Sequence, residues 1–170
     1  MKKSAWRFSA NGSTIEFKIK YYKISNIAGC FAGFEGKVLA DDSFIDVEVD
    51  LSLDVASINA NNQRRNRKLR SRECLHIKQF PNVYFKALSG CKLSEGKIRE
   101  LTGTLTIKDI SREITLITNY SHIKKGNDVP TMVFSLFGCI NRKDFMLLME
   151  DDKLDDEIHL SAQLEMTKAF

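Results

Sequence analysis

Strict alternation of apolar and polar side chains is the feature that most restricts how this chain can fold. In "STIEFKIKY" (13–21) every second residue, from Ile15 to Tyr21, is apolar, and polar residues stand between them. "FIDVEVDLSLD" (44–54) and "EIHLSAQLEM" (157–166) repeat the pattern. This two-residue period is that of a strand, and the helical period of about 3.6 residues does not fit it. Each segment is predicted to be a strand with one face buried and the other exposed to solvent.

Five further strands are predicted at about 29–40, 82–89, 98–108, 112–120 and 129–139, with short breaks between several of them that suit antiparallel hairpins. Eight long one-sided strands favour closure into a barrel, because closure removes exposed sheet edges. A two-sheet sandwich also accommodates the pattern. The barrel is preferred because strands of about ten residues exceed the usual five or six. The expected fold is all-β, an eight-stranded antiparallel barrel.

Two segments interrupt the strand pattern. In "NNQRRNRKLRSRECLH" (61–76), Asn61 or Asn62 is expected to cap a short helix that runs to about Ser71. The second segment is "NRKDFMLLMEDDKLD" (141–155), where another short helix is expected within 141–150. No repeat, low-complexity tract or linker divides the 170 residues, so a single domain over 1–170 is predicted.

The first of these segments is also the most basic part of the chain. The protein has 26 Lys and Arg against 22 Asp and Glu, and six of the basic residues lie between 64 and 72. Without those six, 20 basic residues face 22 acidic ones, so the positive charge is local. Nucleic-acid binders spread such charge over a face and interleave aromatic residues for stacking, which 64–72 does not do. A nucleic-acid or protein interaction module using 64–72 is therefore only an alternative interpretation.

The cysteines and histidines indicate neither a metal site nor a catalytic arrangement. The four cysteines are far apart, with no Cys-x-x-Cys pair, so buried free thiols are expected and no metal is predicted. A pairing of Cys74 with His76 around a metal is a minor alternative. His122 and His159 fall on predicted outward faces or loops, and no nucleophile–base pair can be identified. We therefore expect no enzyme, with catalysis on a small apolar substrate in the barrel as the alternative.

The N-terminal segment "MKKSAWRFSANGS" has no apolar run of signal-peptide length, and no later stretch has the length of a membrane span. The chain as written is expected to be soluble and cytoplasmic, or periplasmic or secreted if a signal was removed.

Several motifs follow one another in an order typical of one family. The motif positions in chain order are Ser57, Arg65, Leu69, Ser71, Phe80, Pro81, Gly103, Leu105, Thr106, Arg112, Asn141, Arg142, Asp144 and Phe145. Together they resemble the YceI-like family of small lipocalin-like barrels, over most of the chain. The resemblance implies an elongated apolar cavity that stores or transports a long-chain ligand, such as a polyprenyl quinone, an isoprenoid or a fatty acyl compound.

The inward alternates of the predicted strands are the candidates for the cavity lining, although a solid core would satisfy the same pattern. These candidates are Phe17, Ile19, Phe34, Val47, Val49, Leu51, Phe85, Leu105, Phe134 and Leu136, with Phe145 as a plug.

Arg65 and Arg142 occupy family motif positions, and pairing with a carboxylate such as Asp144 is expected to hold a loop at the barrel mouth. The chain departs from the family where Asn66 replaces an aspartate beside Arg65 and where Cys74 replaces an aromatic residue. The first departure is expected to affect how the loop at the barrel mouth is fastened, and the second is expected to affect the shape of the pocket and the length of the ligand.

The expected partner is a long-chain lipid or quinone, with no other cofactor and no nucleic acid. Transient contact with an anionic membrane surface and pairing of two barrels are left open by the sequence.

Overall fold

The computed structural model describes residues 2–41, 47–91, 99–123, 130–147 and 153–169. Within these ranges the strands, in chain order, are β1 (Ser4–Phe8), β2 (Thr14–Tyr21), β3 (Ser25–Phe31), β4 (Phe34–Ala40), β5 (Val47–Asp54), β6 (Ile58–Asn59), β7 (Asn82–Cys91), β8 (Arg99–Ile107), β9 (Ile110–Ile123), β10 (Thr131–Asn141) and β11 (Leu154–Lys168). The one α-helix of these ranges is α1 (Gln63–Arg70), and 3-10 turns lie at Ala10–Gly12, Val55–Ser57 and Arg142–Phe145. None of the helices in the described ranges has the length and apolar character needed to cross a membrane.

Eight of the strands close into an antiparallel barrel, which confirms the predicted fold class. Their order is β1, β4, β5, β7, β8, β9, β10 and β11, and β11 pairs back onto β1 through Trp6 opposite Lys168 and Phe8 opposite Met166. Closure satisfies the backbone groups of both edge strands, so the barrel exposes no free edge there.

Strand β11 has 15 residues and divides them between two neighbours. Its last residues pair with β1, and its earlier residues pair with β2, from Ile158 opposite Ile19 to Gln163 opposite Thr14. The β2–β3 hairpin therefore extends the wall beside the barrel, and the two-residue β6 adds to its outer strand.

The prediction of one continuous strand over 29–40 is wrong. Strand β3 ends at Phe31 and β4 begins at Phe34, so the chain turns a corner at Ala32 and Gly33. The corner is held because the Gly33 carbonyl accepts hydrogen bonds from the backbone N–H of Asp54 (2.9 Å) and the hydroxyl of Ser57 (3.2 Å). A Cβ on Gly33 would lie 3.1 Å from the Cβ of Ser57, a tight contact that glycine avoids.

Helix α1 begins as the sequence indicates, with Asn62 as its cap. The Asn62 side chain accepts a hydrogen bond from the backbone N–H of Arg65 at 3.0 Å. Leu69 is buried, and the side-chain oxygen of Asn66 accepts from the backbone N–H of Ala60 at 2.7 Å. The basic segment is thus a packed cover that is fastened to the end of β6.

The segment after β10 is fastened by a buried arginine. Arg142, in the 3-10 turn Arg142–Phe145, donates to the carbonyl oxygens of Asp155 (Nε, 3.2 Å) and Leu147 (Nη1, 3.4 Å). Its Nη2 lies 3.4 Å from the carboxylate of Asp156. Asp144, the partner suggested by the sequence, is exposed, and its backbone carbonyl accepts from Arg112. Arg142 therefore joins the turn to the start of β11.

Replacing this arginine tests its structural role. We expect Arg142→Ala to lower the free energy of unfolding by about 1–3 kcal/mol, because buried carbonyl oxygens lose a charged donor. Arg65→Ala should cost less, since Arg65 makes one long hydrogen bond, at 3.4 Å to the carbonyl of Ala60. Chemical denaturation monitored by circular dichroism measures both values.

The control is Lys143→Ala, which removes a mostly exposed cation that also pairs with Asp156, at 3.2 Å. Exposed pairs contribute roughly 0–1 kcal/mol, so this variant should unfold almost as the parent does. Equal stability of the Arg142→Ala and Lys143→Ala variants would contradict the role assigned to Arg142.

Candidate ligand-binding site

One end of the barrel contains a cavity of about 570 Å³. Its wall is formed by apolar side chains from the barrel strands, from the β2–β3 hairpin and from the cover segment. These are Ile15, Phe17, Ile19, Ile27, Phe31, Leu51, Leu53, Ile58, Leu69, Leu75, Val83, Phe85, Leu105, Ile107, Ile114, Leu116, Leu136, Ile140, Leu147, Leu154, Ile158, Leu160 and Ala162.

The burial of inward side chains shows that the barrel is hollow at this end and filled at the other. Ile15, Phe17 and Leu160 point inward yet are only half-buried, because they face open space. At the opposite end Met132 and Met166 are fully buried. The filled end acts as a floor, and residues of α1 border the cavity at its other end.

Six of the predicted lining residues lie on the cavity wall. They are Phe17, Ile19, Leu51, Phe85, Leu105 and Leu136. That these six bind a ligand remains a prediction.

The other five predicted residues lie away from the cavity wall. Val47 and Val49 are buried in the core of the filled end, and Phe134 stacks on Tyr120 with ring centroids 5.6 Å apart. Phe34 packs at the edge of the core beside a separate surface depression. Phe145 is fully buried in the turn after β10 and does not plug the cavity. Alternation predicts the side of a strand on which a residue lies, but not its depth along the barrel.

Other wall residues were not predicted from the sequence. Ile114 and Leu116 alternate along β9 and could have been identified by the same rule. Leu69 and Leu75 could not, because they come from the cover segment, where no strand period exists.

Two aromatic side chains of the wall pack against glycine. The ring of Phe17 occupies the space where a side chain of Gly29 would begin. Phe85 packs in the same way on Gly103, at 2.6 Å. The two rings can lie along the wall only because these neighbours carry no side chain.

The mouth of the cavity is cationic. Asn62, Arg64, Arg65 and Lys68, all from α1 or its cap, border the same cavity as the apolar wall. Among the ion pairs of the described residues, none involves these three cations, whereas Lys3, Arg142 and Lys143 each have a carboxylate partner. Arg65 instead donates to the backbone carbonyl of Ala60. One carboxylate, Glu16, also borders the cavity, so three cations against one anion leave a net positive charge there. A net positive charge at the entrance of an apolar cavity favours a ligand with an electron-rich or anionic end.

Cys74 lies on the cavity wall. It is buried, and burial raises the pKa of its thiol to about 11. The positive charge of Lys108 opposes this shift but does not cancel it. Cys74 therefore contributes a small neutral surface to the wall at neutral pH.

Histidines contribute nothing to the described wall of the cavity. His76 packs its ring against Phe80, with centroids 5.8 Å apart, and His159 lies on the outer face of β11. The side chain of His122 lies outside the described residues.

Comparisons with known proteins place this barrel in a family. A family model for the YceI-like domain matches residues 6–166. A UPF0312 protein of Yersinia enterocolitica is 28% identical over 159 residues, which cover 91% of this chain and 81% of the relative.

Solved structures show the same architecture. The YceI protein of Campylobacter jejuni is 27% identical, with a TM-score of 0.79 over 89% of this chain and 90% of the other. A polyisoprenoid-binding domain from Saccharophagus degradans is 14% identical, with a TM-score of 0.73 over 98% of this chain and 99% of that domain. The first similarity extends to sequence, and the second concerns the fold alone. With the family model matching almost the whole length, the chain belongs to the YceI-like family.

Proposed function

We propose that this protein binds a single long-chain apolar molecule in the barrel cavity and stores or transports it. The ligand classes that fit are polyprenyl quinones, isoprenoids and fatty acyl compounds. The observation that carries the proposal is the apolar cavity of about 570 Å³, which falls within the range of small-molecule sites, roughly 300–1,000 Å³. The domain of similar fold from Saccharophagus degradans binds a polyisoprenoid, which supports the same class of ligand here.

The hydrophobic effect is sufficient to hold such a chain. Burial of one methylene group contributes about 0.8 kcal/mol, so ten buried carbons contribute on the order of 8 kcal/mol. Association costs an estimated 4–15 kcal/mol or more in lost freedom, so short chains bind weakly and longer chains bind well. A cavity of this kind selects by chain length before any polar group is recognised.

The cationic mouth supports a finer proposal about the ligand's polar end. With the chain inserted toward the filled end, its head group lies beside Arg64, Arg65 and Lys68. Arginine donates in a fork that matches carboxylate and phosphate oxygens, and such charged hydrogen bonds are the strong ones. We therefore propose that amphiphiles with an acidic head group bind more tightly than neutral ones of equal chain length.

Binding explains the site better than catalysis or nucleic-acid recognition does. Catalysis requires a base or nucleophile poised beside the substrate, and the described wall has no histidine. Its thiol is buried and neutral, and its serine, Ser161, makes no hydrogen bond to the one wall carboxylate, Glu16, which is exposed. The basic residues of α1 belong to a helix that is packed through Leu69, and three of them border the cavity. A role at the cavity mouth explains why positive charge is concentrated in this segment, so no nucleic-acid partner is needed to explain it.

A neighbouring pair of residues on β11 tests whether the cavity holds the ligand. Ala162 borders the cavity, whereas Gln163 is exposed on the outer face. We expect Ala162→Trp to weaken binding of a long-chain fatty acid by at least about 10-fold, because the indole displaces the equivalent of two methylene groups. Isothermal titration of delipidated protein measures the affinity.

The matched control is Gln163→Trp, which adds the same side chain outside the barrel and should leave the affinity unchanged. Native mass spectrometry of both variants reports whether a ligand is bound, and thermal melting reports whether they are folded. Equal affinity of two folded variants, or no binding by the parent, would contradict the proposed site.

Charge removal at the mouth tests the head-group preference. The ligands are an isoprenyl phosphate and the isoprenyl alcohol of the same chain length. We expect the parent to bind the phosphate more tightly by about 10-fold or more, since a hydrogen bond to a charged group contributes about 1.5–3 kcal/mol. The double variant Arg64→Gln with Lys68→Gln should lose this preference.

The control removes two charges from the same segment but away from the cavity, by Arg67→Gln with Arg72→Gln. It should keep the preference for the phosphate. If both double variants lose the preference equally, the effect is one of general charge, and the proposed contact at the mouth is wrong.

A further inference from the structure

On the outer wall of the barrel, away from the cavity, three side chains with metal-binding atoms meet. Cys139 on β10 lies directly opposite His159 on β11, and Glu157 projects from the same face two residues before His159. The thiol sulfur of Cys139 is 3.2 Å from Nδ1 of His159, and Oε1 of Glu157 is 3.1 Å from Nε2 of the same ring. One ligand atom from each of the three residues lies within 4.8 Å of the others.

We propose that Cys139, Glu157 and His159 form a binding site for a divalent zinc ion. The donor set carries the argument, because thiolate sulfur, imidazole nitrogen and carboxylate oxygen are the three ligand types that zinc uses in proteins. Two ligands of one tetrahedral zinc ion stand about 3.3–3.6 Å apart, as follows from metal–ligand bonds of about 2.0–2.3 Å. The two short contacts use opposite nitrogens of the His159 ring, so the side chains must rotate before one imidazole nitrogen, the thiol sulfur and the carboxylate face a single ion. Ligand atoms of the three residues that lie within 4.8 Å of one another leave a short distance for that rotation to close.

Continuous pairing of β10 with β11 supports the backbone beneath the three residues, while Glu157 lies in the stretch where the pairing of β11 with β2 is irregular. Strands β10 and β11 pair without interruption from Thr131 opposite Thr167 to Asn141 opposite Glu157. Residues on one face of such a pair keep fixed separations, which is what a preformed metal site requires. The three side chains are exposed, so an ion reaches them directly from solvent.

Binding of a divalent ion to this site is coupled to deprotonation of the Cys139 thiol. A divalent cation replaces the thiol proton, which passes to solvent, and neutralises the carboxylate at the same time. Lys18 lies opposite His159 on β2, and its long exposed side chain is free to turn toward solvent.

Three protein ligands leave one tetrahedral position for water. Structural zinc sites use four protein ligands, whereas open sites use three. The ion would sit on the outside of the wall whose inner face, Ile140, Ile158 and Leu160, borders the cavity. Metal binding here is independent of the proposed lipid function, and either can fail without the other.

Cobalt substitution tests the site. Protein prepared without a polyhistidine tag is titrated with Co²⁺, and the thiolate-to-cobalt charge-transfer absorption is recorded. Competition with Zn²⁺ then gives the zinc affinity. We expect the parent to show the absorption, and Cys139→Ser to abolish it.

His159→Ala and Glu157→Gln should each weaken the affinity by more than about 10-fold, since even loss of an outer partner of a metal-bound histidine costs 10–100-fold. The matched controls are Cys30→Ser, which removes a thiol on β3, and His76→Asn, which removes an imidazole outside the site. Both should bind as the parent does.

Two results would overturn the proposal. One is the absence of a charge-transfer absorption in the parent protein, and the other is an absorption that survives Cys139→Ser or does not respond to His159→Ala and Glu157→Gln. In either case the three residues are a polar surface cluster held by mutual hydrogen bonds.

Discussion

Closure of the sheet between β1 and the end of β11 is the constraint on which the rest of the structure depends. Eight strands fix the interior at a width that side chains can fill or that one chain-like ligand can occupy. Only the last residues of β11 are used in closure, through Trp6 to Phe8 of β1. The remainder of β11 is therefore available to β2, and the added hairpin supplies Phe17, Ile27 and Phe31 to the cavity wall. The wall of the hollow end therefore depends on the pairing of β11 with β2.

Much of the fold was predictable, because the alternation of apolar and polar residues in a strand shows which of its faces is exposed to solvent. The same rule fails for depth along the barrel axis. Leu136 and Phe134 are two residues apart on the same face of β10, but the first borders the cavity and the second stacks on Tyr120 in the filled end. The corner at Gly33 was also missed, because it is fixed by hydrogen bonds from Asp54 and Ser57, which are distant in sequence. Alternation carries no information about such contacts.

The basic segment 61–76 shows that local charge alone is a poor guide to function when the packing of the segment is not known. Its charge alone suggested a separate interaction surface, but its cap at Asn62 and its buried Leu69 make it part of the barrel's cover. Asn66 hydrogen-bonds to Ala60 and to the side chain of Asn59, so it fastens the helix without a charge. Arg65 borders the cavity and, among the described residues, donates to a backbone carbonyl and forms no ion pair. The uncharged Asn66 therefore helps to attach the cover while the positive charge of Arg65 stays available at the cavity mouth.

Alternate residues of β11 belong to two different surfaces, the cavity wall and the outer face of the barrel. This alternation limits which mutations the strand can tolerate. Ile158 and Leu160 face the cavity, while Glu157 and His159 face water. Point mutations can alter either surface alone. A deletion or insertion of one residue within 158–163, which pairs in register with both neighbouring strands, would turn the following side chains to the opposite face. Length changes in this part of β11 therefore disturb both surfaces at once, whereas a single substitution changes only one.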